Sequence, residues 1–158
     1  MQAINKSSKR MKSEKSIYNI TKAAIDRLKP NVTDWYFTKL INQDSKKIIT
    51  FDLIENEIPI IEIADKQSKT LISTRRILEE SNSTKTTINF QDIQSYDFGN
   101  FKGEIDNPEI KKFRAIDFNN KSQNFQMESG KAAIVIITTL NTLKNLTKPQ
   151  AIHNQKST

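Results

Sequence analysis

The sequence predicts an α+β protein, mainly β: an antiparallel barrel or bent sandwich of about seven strands, capped by a C-terminal helix and preceded by a helical prelude. Three observations carry this expectation. Residues 46–127 hold short β-branched and aromatic runs, set apart by polar segments such as Asp65-Lys66-Gln67-Ser68 and Ser81-Asn82-Ser83-Thr84. No helical pattern interrupts those runs, so parallel crossovers have no room and neighbouring strands must pair antiparallel. The stretch 130–146 then changes to a spacing of three and four, with Ala133, Ile136, Ile137, Leu140 and Leu143 on one stripe.

Taken in order, residues 1–15 combine low hydrophobicity with clustered like charge and read as a disordered basic arm. Ile17, Ile20, Ala24, Ile25 and Leu28 recur at helical spacing, with Ser16 at the cap position and Pro30 as the stop. A second short helix is expected from Thr33 or Asp34 through Trp35, Phe37, Leu40 and Ile41, completing a prelude over 16–44. Two helices on a short turn raise a helix-turn-helix. The second one, however, would carry Trp35, Tyr36, Phe37, Leu40 and Ile41 with Lys39 as its sole cation, a composition suited to packing and not to reading DNA.

The main domain spans 45–146, with strand segments expected at 46–54, 58–64, 69–80, 85–90, 91–98, 113–118 and 122–127. Pro59 falls near a strand start, where an edge or entry proline is tolerated. Gly99-Asn100, Lys102-Gly103 and Asn119-Asn120 supply turns. Ser129 is placed to cap a helix running from Gly130 to about Leu146, and Pro149 ends it. Ile136 and Leu140 are expected to enter the open end of the sheet against Phe51, Ile72 or Phe90, and 147–158 reads as a disordered tail.

Composition narrows the chemistry. The chain has 158 residues, enough for one domain. It has no cysteine, one histidine (His153) and three glycines. Thiolate chemistry, a multi-histidine metal site and a glycine-rich phosphate loop are thereby excluded. Of the net +7, residues 1–16 contribute +4, from Lys6, Lys9, Arg10, Lys12 and Lys15 against Glu14. Lys148 and Lys156 contribute +2, so the body at 17–146 carries only +1. A near-neutral body with basic ends argues against a nucleic-acid face built into the fold. The start is basic and polar with no apolar run behind it, so a cytoplasmic location is expected.

Leu71-Ile72-Ser73-Thr74-Arg75-Arg76-Ile77 follows the pattern apolar–apolar–x–Thr–x–Arg–apolar, and Ile88, Phe90, Asp92 and Ile93 form a later I-x-F-x-D-I strand. With the closing stretch 125–143, these segments resemble the small bacterial pleckstrin-homology-like (PH-like) domains over roughly 46–146. The resemblance implies a binding or scaffolding fold without a catalytic site, cofactor or metal. It also implies contact through a groove between an open sheet edge and the C-terminal helix. Inositide binding, associated with eukaryotic relatives of the fold, needs cations in the first strand–strand loop. The corresponding segment, Asp52 to Glu57, is acidic.

The candidate sites follow. Ile134, Val135 and Thr138 are expected on the outward stripe of the last helix, more apolar than solvent requires and suited to a polypeptide partner or a homodimer. Arg75 and Arg76 form the basic pair within the strands; alternation turns one to solvent and pairs the other with Glu79 or Asp92. The Glu55/Glu57 and Glu79/Glu80 pairs lack companions for acid–base or metal chemistry, and Ser129-Gly130-Lys131 lacks the glycines of a phosphate cradle. The expected function is a non-catalytic protein-interaction or scaffolding module whose partner is a complex subunit or a neutralised toxin. The alternative is attachment to anionic membrane or nucleic acid through Lys6, Lys9, Arg10, Lys12 and Lys15.

Overall fold

The computed structural model describes residues 12–41, 51–103 and 106–148. Helix α1, Glu14–Arg27, starts before the expected Ser16 cap. Its cap is Ser13, whose hydroxyl accepts the Ser16 N–H at 3.1 Å. Lys12 and Ser13 lead directly into it, and Glu14 and Lys15 form its first turn. The end of the basic arm is therefore folded, while Lys6, Lys9 and Arg10 lie outside the described residues. Ile17, Tyr18, Ala24 and Ile25 bury one face. Lys29 turns the chain out at φ 50°, ahead of Pro30.

The expected second helix is not formed. A 3-10 turn, Val32–Asp34, is capped by the Asn31 side chain, and the chain then extends into β1, Thr38–Leu40. The reason lies far away in sequence. Glu128, buried at the opposite end of the fold's last strand, accepts the N–H groups of Tyr36 (2.9 Å) and Phe37 (2.8 Å) and the hydroxyl of Thr38 (2.8 Å). Those three donors satisfy the carboxylate only if this segment is extended.

Strands β2 (Pro59–Ala64), β3 (Ser68–Ser73), β4 (Arg76–Ser81) and β5 (Thr84–Asn89) follow, and with β1 they form one antiparallel sheet in the order β1-β2-β3-β4-β5. A 3-10 turn at Phe90–Asp92 leads into a second antiparallel sheet, β6 (Ile93–Asp97), β7 (Ile110–Asp117) and β8 (Ser122–Glu128), in that order. The fold is thus α+β and mainly β, with two helices and eight strands among the described residues.

Two strand expectations change. Segment 69–80 is two strands, folded back at Thr74-Arg75, with Ile72 opposite Ile77. The Ser73 hydroxyl makes this turn by accepting the N–H groups of both Arg75 and Arg76 at 3.1 Å. Segment 46–54 begins outside the described residues, and 51–54 is not strand. There Ile54 N–H bonds the Glu57 carboxylate and Glu57 N–H returns to the Ile54 carbonyl, closing a local turn in place of a ladder. Asp52 to Glu57 lie in the connection between the paired strands β1 and β2, of which 42–50 fall outside the described residues.

Helix α2, Lys131–Leu146, packs against α1 on one side and against β8 and the Phe90–Asp92 turn on others. Ile136 and Leu140 are fully buried in one core with Ile72 and Phe90, together with Ile17 and Ile25 of α1. An aromatic cluster, Tyr96, Phe98, Phe113 and Phe125, fills the second sheet, with ring centroids 5.3 to 6.2 Å apart. Ser129 does not cap α2. Gly130 precedes the helix at φ 82°, and the buried Ser129 hydroxyl instead accepts the Glu109 N–H at 3.0 Å.

Candidate functional site

The charged groups that looked most functional in sequence are occupied in holding the fold. Arg76 reaches Glu57 through Nε and Nη2, both at 3.0 Å, and donates to the Asp52 carbonyl at 2.9 Å. Burial opposes the Glu57 charge, yet Arg76, Ser73 and the Ile54 N–H together hold its pKa below the usual carboxylate value. Arg75 pairs with Glu14 at 3.0 Å, tying the β3–β4 turn to the start of α1. Both arginines are therefore paired, and with neither Glu79 nor Asp92, because they flank a turn and do not alternate along one strand.

Glu79 is buried where β4 faces the second sheet. It accepts the Thr70 hydroxyl at 2.7 Å and the Gln126 N–H at 2.8 Å, with Lys112 3.6 Å away. Glu79 thus stands in for a ladder partner at the edge of β8, while Glu128 holds the residues entering β1 and, within β1, the Thr38 hydroxyl. At β6, Lys144 donates to the Gln94 carbonyl at 3.5 Å, and the Tyr96 hydroxyl donates to the Leu140 carbonyl at 3.0 Å. Burial pushes the Tyr96 phenol up, so it stays a donor. The groove between the β6 edge and α2 is bridged by these side chains.

Of the expected contact stripe on α2, only Ile134 is well exposed, at 55%. Val135 is 3% exposed and belongs to the core, which corrects its outward placement. The reason is that α1 covers a second side of α2, widening the buried face beyond one stripe. Thr138 is half-buried. Lys131, one turn before Ile134, is paired with Asp34 at 3.3 Å. Lys12 and Arg75 meet beside a cleft of about 410 Å³ that Glu14 and Gln91 also line, while Lys15 points to solvent.

One strand edge remains without a bridge among the described residues: that of β5. Asn82 and Ser83, at φ 48° and 71°, form the two-residue turn that sets the β4–β5 register, with Ser81 opposite Thr84 and Ile77 opposite Ile88. In that register Thr84, Thr86 and Ile88 bond to β4, so the N–H and C=O groups of Lys85, Thr87 and Asn89 point outward. Beside this edge runs a groove of about 380 Å³ formed with the β7–β8 turn. It is lined by Thr87, Asn89, Asp92, Asp117, Phe118 and Gln123. Phe118 is 61% exposed, and the Gln123 amide oxygen is buried with no hydrogen-bond partner. Neither Asp92 nor Asp117 is in an ion pair among the described residues.

Sequence reasoning did not find this site. The run Thr84 to Asn89 reads as a polar strand, and nothing in it announces which neighbour it lacks. Among the described residues, no group of three metal-type ligands is assembled, and no helix is long and apolar enough to cross a membrane. Comparison with protein-family models, curated proteins and solved structures finds no match to the chain.

Proposed function

We propose that this chain is a non-catalytic module of PH-like architecture that binds a polypeptide partner. The strand order supports the architecture: apart from the short β1, a four-stranded meander (β2 to β5) is followed by a three-stranded one and then a helix. The observation that carries the binding role is the unbridged edge of β5. Side chains reach the backbone at the edges of β6 and β8, from Lys144 and Glu79, and Glu128 holds the entry to the short β1. A full-length edge with a row of outward backbone groups is a template for a further strand. The buried carboxylates Glu57, Glu79 and Glu128 are each held by structural donors, which favours binding over acid–base chemistry.

Affinity capture from native lysate with the full tagged chain tests the reading, at about 0.15 M and about 1 M salt, where the screening length falls from about 8 to 3 Å. A polypeptide retained at both concentrations supports it. Capture that vanishes at high salt and is also lost when residues 1–11 are deleted would instead favour anionic-surface attachment through the basic arm.

A further inference from the structure

We propose that the β5 edge takes an extended, basic polypeptide segment of the partner, added as a sixth strand with a lysine or arginine side chain entering the groove beside it. This rests on the reading of the chain as a polypeptide-binding module and specifies where and what it binds. Two independent features of the same place point to such a segment.

The first is the edge itself. Lys85, Thr87 and Asn89 present outward N–H and C=O groups over the length of β5. An extended chain satisfies all of them at once, whereas a helix or a small molecule satisfies few. The second is the chemistry of the groove. Asp92 and Asp117 line it without a cation paired to either among the described residues. One Asp117 oxygen accepts the turn N–H groups of Asn119 (2.8 Å) and Lys121 (2.9 Å), leaving the other for a ligand. The Gln123 amide oxygen is a buried acceptor lacking a donor, a state that is disfavoured until one arrives. Every one of these groups accepts hydrogen bonds. A guanidinium or ammonium supplies donors and opposite charge together, and exposed Phe118 offers its face to the aliphatic stem and the cation. An acidic segment would meet like charge at both carboxylates.

The probe is a fluorescein-labelled hexapeptide, Thr-Lys-Val-Arg-Val-Thr, with Thr-Glu-Val-Glu-Val-Thr as its acidic counterpart, titrated by fluorescence anisotropy into the full chain. The basic peptide is expected to bind at least about tenfold more tightly than the acidic one. Binding is expected to slow amide exchange at Thr87 and Asn89. Thr87→Pro removes an outward N–H without touching the β4 ladder, and Asp92→Lys reverses the groove charge on the surface; each is expected to weaken the basic peptide about tenfold. Equal affinity for the two peptides, or undiminished binding to both variants, would overturn the assignment. Binding seen only after residues 1–11 are deleted would give the groove to the chain's own arm, and a peptide-excluding dimer lost in Thr87→Pro would give it to a second copy; either result overturns a partner segment. If salt-resistant capture from lysate persists in both variants, the module reading stands and the β5 assignment falls. If the parent chain captures no polypeptide at either salt concentration, the module reading falls first.

Discussion

Replacing Arg76 by methionine tests whether the hairpin bend is held by a buried ion pair. The Glu57 side chain is fully buried and the Arg76 side chain 15% exposed. The substitution keeps much of the aliphatic stem but removes both 3.0 Å bonds to the carboxylate. Glu57 then retains only the Ile54 N–H and the Ser73 hydroxyl. Breaking one side of a buried pair costs about 3–5 kcal/mol, because the surviving charge stays desolvated. Against a domain stability of about 5–15 kcal/mol, that is a large loss. Urea unfolding followed by Trp35 fluorescence measures it. The double variant Arg76→Met/Glu57→Gln is expected to recover most of the loss, since no unpaired charge remains. The pH dependence adds a second readout. In the parent the folded Glu57 pKa is depressed, so its contribution is full above the unfolded value of about 4.3 and is lost as pH falls through the folded value. In Arg76→Met burial is no longer offset, the folded pKa rises, and the variant gains stability relative to the parent as pH drops from 7 toward 5. An Arg76→Met protein within about 1 kcal/mol of the parent at pH 7, with no such gain on acidification, would refute the reasoning.

Leu140→Ala is expected to cost about 2–5 kcal/mol in thermal or chemical unfolding, because Leu140 is fully buried between the sheets and α1. Removing residues 1–15 takes away the Ser13 cap and the Glu14–Arg75 pair, so a loss of about 1–3 kcal/mol is expected in the same assay. Glu128→Ala leaves the Tyr36 and Phe37 N–H groups without their acceptor; hydrogen exchange at those two amides should accelerate well beyond that elsewhere in the first sheet. Gly103→Ala should be worse than Gly99→Ala. Both need positive φ, but a Cβ at 103 would meet Ser129 Oγ at 3.0 Å, while 99 has open space. Parallel melts rank the two.

The order of elements was largely legible. Of the apolar stripe Ala133, Ile136, Ile137, Leu140 and Leu143, all but the half-buried Ile137 are buried as the spacing requires, and the β-branched runs 58–64 and 85–90 overlap β2 and β5. Most of the failures share a cause, a side chain whose partner is distant in sequence. Thr74-Arg75 contains no glycine or asparagine, so the turn it makes depends on Ser73 and Glu57 and leaves no local mark. Residues 33–41 carry an acceptable helical pattern, but the chain leaves its 3-10 turn after Asp34 and Glu128 holds Tyr36 to Thr38 extended. Val135 was misplaced because amphipathic spacing assumes one covered side, and α1 provides a second. The groove escaped detection for the same reason: Asp92, Phe118 and Gln123 come together only after the β7–β8 turn is laid beside β5.

The side chains of Lys144 and Glu79 at the β6 and β8 edges, and of Glu128 at the entry to β1, also bear on the valence of the proposed binding. A sheet protein with two complementary free edges can recruit a copy at each, and every recruited copy presents a fresh edge, so growth has no natural end. On the proposed reading, with β5 as the edge that takes a strand, addition would stop after a single event. A one-to-one complex that stays discrete as concentration rises is the outcome expected of the proposed binding mode.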